Sequence, residues 1–182
     1  AYTSKRGENF VDPAFPGVRE RQEELLSKLL TAYPFDGVSL DWVRYEGLYA
    51  GKNGPLANHF QYQYPTFQWS DTALENNYSK ARWYEVRAKL LSSWVQNINA
   101  IMRTNYPGVR WGAFLLPWQF SETSVNYHLF GKSGIDFLQP MGYWADWKFA
   151  PEWVGNELLS PHAELQSGTS FWPTLGIDVP KA

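Results

Sequence analysis

The chain has 182 residues, 18% of them aromatic (10 Trp, 11 Tyr, 11 Phe), no cysteine and a formal net charge of −2. The length fits a single domain, residues 1–182, and the absence of Cys excludes a disulfide framework or a thiolate metal site. Scattered Lys and Arg at this charge argue against nucleic acid as a partner, and no apolar run approaches the ~20 residues of a membrane helix.

After a polar opening with Pro13 and Pro16, residues 17–33 predict a helix: Val18, Leu25, Leu26, Leu29, Leu30 and Tyr33 recur at helical spacing, and Pro34 ends it. Residues 36–42 follow as a short buried strand, opened by the turn signal Asp36-Gly37. Alternation puts Gly37, Ser39 and Asp41 on one face and Val38, Leu40 and Trp42 on the other. Residues 43–78 are a long excursion punctuated by Gly47, Gly51, Asn53, Gly54 and Pro55, with the polar-aromatic run HFQYQYPTFQWSD at 59–71. A loop of that length is functional or disordered, and its aromatics argue against disorder. Residues 80–105 carry the strongest helical stripe, Trp83 to Met102, stopped by Tyr106-Pro107-Gly108.

A strand at 109–116, a short helix near 123–131 and a strand at 135–141 come next. They are followed by a Trp- and Tyr-rich loop at 142–150, a helix around 151–159 opened by Pro151, and a last strand at 171–177. Regular αβ alternation implies an α/β fold with a parallel sheet. An inner-face carboxylate at the C-terminal end of such a strand lies where (β/α) barrels keep their chemistry.

The words DGVSLDWVRY (36–45), NFVDPAFPGVRE (9–20), WYEVRAKLLSSWV (83–95), YPGVRWGAF (106–114) and GIDFLQPMGYW (134–144) together resemble family-10-like glycosyl hydrolases. This is a bacterial group of glycosidases related to the hydrolase domain that cuts poly-N-acetylglucosamine. The resemblance spans nearly the whole chain. It implies a (β/α)8 TIM-type barrel of which strands 4 to 7 are present. It also implies glycoside hydrolysis of a bacterial polysaccharide, a carbohydrate partner and an extracellular or cell-envelope location. The stretch FDGVSLDW echoes strand 4 of family 18 chitinase-like barrels as well. That pattern asks for Asp where Ser39 stands and Glu where Val43 stands, so chitinase chemistry is not carried over. Strands 1 to 3 and 8 are absent from the sequence, so the expectation is a fragment, or a second copy or further chain that completes the barrel.

Asp41 is the leading catalytic candidate, because a rim carboxylate can act as acid, base or nucleophile toward a glycosidic bond. For the second carboxylate Asp178 and Glu46 rank ahead of Glu122 and Asp146; all four follow strand ends. Arg44 holds Asp41 ionised, binds an anionic substrate group, or makes a plain salt bridge; the sequence leaves the three open. Gln139 and Tyr143 share a face of the strand at 135–141, and the resemblance places the Tyr143 hydroxyl in the cleft. Trp42, Tyr45, Trp118, Trp144 and Trp147 are stacking candidates. Asp36 and Asp136, at the opposite strand ends, read as structural. His59, His128 and His162 share no ligand spacing, so neither metal nor cofactor is expected. The alternative function is a non-catalytic carbohydrate-binding module on a degenerate barrel. A segment that docks on another chain is a further rival.

Overall fold

A computed structural model describes residues 2–3, 9–117, 120–156, 165 and 168–176. Its centre is a parallel sheet. β3 (Gly37–Leu40), β4 (Arg110–Leu115) and β5 (Phe137–Gly142) lie side by side, followed by a line made of two short strands, β6 (Ser170–Phe171) and β7 (Thr174–Leu175). Both short strands pair with β5, β6 at Phe137–Leu138 and β7 at Met141–Gly142. The predicted strand at 171–177 is therefore two pieces, interrupted at Trp172-Pro173, where proline has no N–H for the ladder. A separate antiparallel pair, β1 (Tyr2–Thr3) and β2 (Asn9–Phe10), precedes α1.

The expected α/β architecture with parallel strands is present, and the described strands form an open sheet. Register places Ser39, Gly112 and Phe137 in one row and Phe114 beside Gln139 in the next. The opposite face carries Trp111, Ala113, Leu115 and Leu138, all buried in the main core. Over it pack α4 (Asn77–Asn105) and α5 (Tyr127–Gly131). α4 supplies Trp83, Val86, Leu91, Trp94, Val95, Ile98 and Met102, so the stripe that predicts this helix is the one it buries. Asn76 caps it by accepting from Tyr78 N at 3.0 Å.

α1 (Pro16–Ala32) has proline in its first turn and Arg21–Glu24–Lys28 pairs along its outer side. It buries Leu26 and Leu30. Leu25, Leu29 and Tyr33, which the spacing assigns to the core, are exposed. The excursion also differs from expectation. It holds two helices, α2 (Pro55–Gln63) and α3 (Asp71–Glu75), the first opened by Pro55 and the second capped by Ser70. The predicted helix near 123–131 is a 3-10 turn at Ser121–Thr123 followed by α5. Of the helix around 151–159, residues 152–156 are helical and 157–159 lie outside the described residues.

Candidate functional site

The face of the sheet turned away from α4 and α5 carries several of the candidate side chains. Ser39 Oγ donates to Gln139 Oε1 at 2.5 Å, reaching across β4. The bond is sterically allowed because the β4 residue paired with Ser39 is Gly112, which has no side chain. Phe137 lies over Gly112. Trp172 stacks on Phe137 at 4.3 Å and 18°, and the Arg110 guanidinium sits 4.7 Å from the Trp172 ring. Trp172 is 43% exposed. Sequence spacing gave no reason to single it out.

At the C-terminal end of β3 the chain leaves the ladder after Leu40, so Asp41 and Trp42 stand one and two residues beyond the strand. Asp41 is exposed, and its Oδ1 accepts from Trp42 N at 2.7 Å. Trp42 has φ +59°. A bulky residue in the left-handed region costs about 1–2 kcal/mol, a strain typical of functional loops. This turn moves Trp42 off the helix-facing side of the strand. Its ring packs on Phe10 at 5.2 Å and takes the Arg44 guanidinium on its face at 3.8 Å.

Arg44 does not pair with Asp41. Its Nε reaches Glu46 Oε2 at 3.5 Å, and its side chain is only 10% exposed. Arg44 Nη1 is buried with no hydrogen-bond partner among the described residues. The rim therefore brings Asp41, Trp42, Arg44 and Glu46 together, with Arg44 clamped between a ring and a carboxylate.

Tyr45 is corrected from a stacking residue to a structural one. It is fully buried and its hydroxyl donates to Asp12 Oδ1 at 3.0 Å, which leaves no ring face for a sugar. Asp12, 4% exposed, also accepts from Ala14 N at 2.8 Å, so it ties the start of α1 to the exit of β3. Asp12→Ala is expected to destabilise the fold by about 1–3 kcal/mol, because a buried hydroxyl and a buried N–H lose their acceptor. A urea melt with unchanged slope and a lower midpoint is the expected result.

The second buried support is Arg87. Its guanidinium donates to Ser124 Oγ, to the carbonyls of Gly47, Leu48 and Ala50, and to Glu122 O. It thereby joins the loop after β3 to the loop after β4, where Tyr45 N also donates to Thr123 O at 3.0 Å. The signal was present in the sequence: Arg87 stands on the Trp83–Leu91 line of an otherwise apolar stripe.

Beyond β5, Tyr143 and Trp147 rings lie 5.7 Å apart, Trp147 packs on Phe120 at 4.8 Å, and Trp153 meets Trp147 edge-on. Tyr143 and Trp144 are half-buried and Asp146 is exposed. Trp118 and Asp178 lie outside the described residues. At the opposite strand ends, Asp136 accepts from Trp111 N at 2.9 Å and pairs with Arg103 at 2.7 Å, the structural role expected of it. Asp36 O accepts from Arg110 N. Among the described residues no group of three His, Asp or Glu side chains is placed to hold a metal ion, and no helix is long and apolar enough to cross a membrane.

Chemically, the end of β3 offers an exposed carboxylate and a buried cation stacked on the half-exposed Trp42, on a sheet that also bears a hydroxyl, an amide and stacked rings. Such a set can hold a hydroxylated ring and transfer a proton to or from it. Compared with known proteins, the chain matches no family model and no curated protein.

Proposed function

We propose that this chain is the strand 4-to-7 portion of a (β/α)8-barrel glycoside hydrolase acting on a bacterial polysaccharide at the cell envelope or outside it. The observation that carries the proposal is the exposed Asp41 at the C-terminal end of β3, beside the Trp42 face and the Arg44–Glu46 pair. The motif resemblance to family-10-like glycosyl hydrolases points the same way, and the open sheet, with β3 at its edge, fits a portion of a barrel. In the reaction, one carboxyl group protonates the leaving glycosidic oxygen as its bond to C1 breaks. A second carboxylate either adds to C1 or takes a proton from the water that does. Asp41 is the first of these groups to test. Glu46 and Asp178 are the candidates for its partner. Gln139, Tyr143, Trp144 and Trp118 contribute the hydrogen bonds and ring faces that hold the sugar.

A second reading, carbohydrate binding without turnover, draws on one observation: Arg44 already engages Glu46, which leaves Asp41 as the exposed acid of this loop. Reducing-end release from bacterial exopolysaccharides separates the two. Asp41→Asn is expected to lower turnover by about 10²–10⁴-fold while sugar binding persists. Equal turnover in variant and wild type would remove Asp41 from the mechanism. Binding without turnover in the folded wild type would favour the second reading.

A further inference from the structure

The run HFQYQYPTFQWSD plays no part in the rim described above, yet it builds a groove of its own. The groove lies between α2, the loop 64–70 and the first turns of α4. Its cavity of about 570 Å³ is lined by Tyr64, Phe67, Gln68, Asn76, Tyr78 and Arg82, among others. That size falls in the range of small-ligand clefts, and the groove is open to solvent.

The groove is rigid where a ligand needs it rigid. Gln61 Nε2 donates to the carbonyls of Tyr64, Pro65 and Phe67 at 3.1–3.2 Å, which fixes the loop from beneath. Phe60, 1% exposed, forms the floor; Phe67 meets it edge-on at 5.2 Å, and Trp69 meets Phe67 edge-on at 5.0 Å. Trp83 braces the cluster from α4 and anchors through Nε1 to Leu48 O at 2.8 Å. A satellite core would account for Phe60 and Trp83. It does not account for Tyr78, 65% exposed with the Arg82 guanidinium 5.2 Å from its ring, or for the open cavity beside it.

The lining matches the two sides of a pyranose. The C–H face of such a ring packs on aromatic faces, and its equatorial hydroxyls need donors and acceptors around the edge. Tyr64, Phe67 and Tyr78 provide the first. Gln68, Arg82 and Asn76 provide the second; Arg82 Nη1 already donates to Glu85 Oε2 at 3.1 Å, which leaves its other N–H groups, and Asn76 Oδ1 is taken by Tyr78 N, which leaves its NH₂ to donate. Because α4 starts here and β4 begins only after its far end, the groove is at the same end of the sheet as Asp41. Lys52–Asp71 at 2.8 Å and the Tyr49–Glu75 hydrogen bond join the loop after β3 to α3.

We propose that this groove is a second sugar-binding subsite, separate from the Asp41 rim, which holds a pyranose of the same polysaccharide chain. The ligand class rests on the carbohydrate reading above. The test uses the whole chain with β-linked glucosamine and N-acetylglucosamine oligomers, short and long, in calorimetry and in amide NMR spectra. Three proteins are compared: wild type, Asp41→Asn, and the double variant Tyr78→Ala with Gln68→Ala. The double variant is expected to lose about five- to tenfold in affinity for long oligomers with an unchanged unfolding midpoint, and Asp41→Asn is expected to keep that affinity. Ligand-induced shifts at the Trp69 and Asn76 side-chain NH groups are expected in wild type. Unchanged affinity in the double variant, with turnover in wild type, would overturn the subsite and leave the hydrolase reading standing. Groove-dependent binding with no turnover in wild type would do the reverse. No binding of any oligomer to folded wild type would overturn the subsite as well.

Discussion

Replacing Arg87 by lysine is expected to destabilise the protein by about 3–5 kcal/mol and to loosen the loops on either side of it. The guanidinium is fully buried and spreads its donors over two loops. Nε bonds Ser124 Oγ at 2.8 Å; Nη1 bonds Gly47 O at 2.8 Å and lies within 3.3 Å of Leu48 O and Ala50 O; Nη2 bonds Glu122 O. Rings of Tyr45, Tyr84 and Trp83 surround it at 4.9–5.8 Å. Hydrogen bonds from a charged donor contribute about 1.5–3 kcal/mol each, and every buried carbonyl left unpaired costs about 1–3 kcal/mol. Lysine keeps the charge but is a point donor on a flexible stem, so it cannot serve both loops at once. Arg87→Met removes the charge and orphans the same carbonyls, so a similar loss is expected. Chemical denaturation monitored by tryptophan fluorescence reads both variants. A lysine variant as stable as wild type would mean that the loops hold each other, through Tyr45 N to Thr123 O and through Trp83 to Leu48, without the guanidinium.

The parts of this fold that were legible are those set by local pattern. The apolar runs around 38–40, 110–115 and 137–142 are strands because each is apolar on the face that meets α4 and α5. The α4 stripe is a helix because its spacing repeats from Trp83 to Met102, over more than five turns. The excursion misled in the other direction: Gly54-Pro55 looks like a turn, yet proline suits the first helical turn, and Leu56, Ala57 and Phe60 behind it give α2 its buried side. The partners of the candidate residues were less legible than their places along the chain. Asp41 lies at the expected strand end, but which residue Arg44 meets depends on the left-handed turn at Trp42, which no residue preference announces for so bulky a side chain. Tyr45 looked like a ring for stacking on sugar. It lies in the main core with its hydroxyl on Asp12, 33 residues earlier, a contact that no local pattern encodes.

Gly112→Ala is expected to cost about 3 kcal/mol or more, a fall of roughly 6–12 °C in Tm for a chain of this size. An ideal Cβ on Gly112 would lie 2.6 Å from Phe137 O and closer still to ring carbons Cδ2 and Cε2 of Phe137. Neither group can step aside freely. The carbonyl belongs to a residue paired with Gly112 in the β4–β5 register. The ring is 5% exposed and is held from its other side by Trp172 at 4.3 Å. Either the two strands separate locally or the ring leaves its place. In both cases the Ser39–Gln139 hydrogen bond, which crosses β4 over this glycine, is broken, and the sheet face around Ser39 loses its stacked rings. Gly17→Ala is the matched control. Nothing lies within 4 Å of its Cβ, and a helical alanine restricts the unfolded chain, so no loss, or a gain of about 0.4–1 kcal/mol, is expected. Differential scanning calorimetry of the two variants separates steric exclusion at β4 from a general cost of adding a methyl group. Wild-type melting in Gly112→Ala would show that Phe137 can move without penalty, and the Phe137–Trp172 stack would then not serve as a fixed platform for a bound ring.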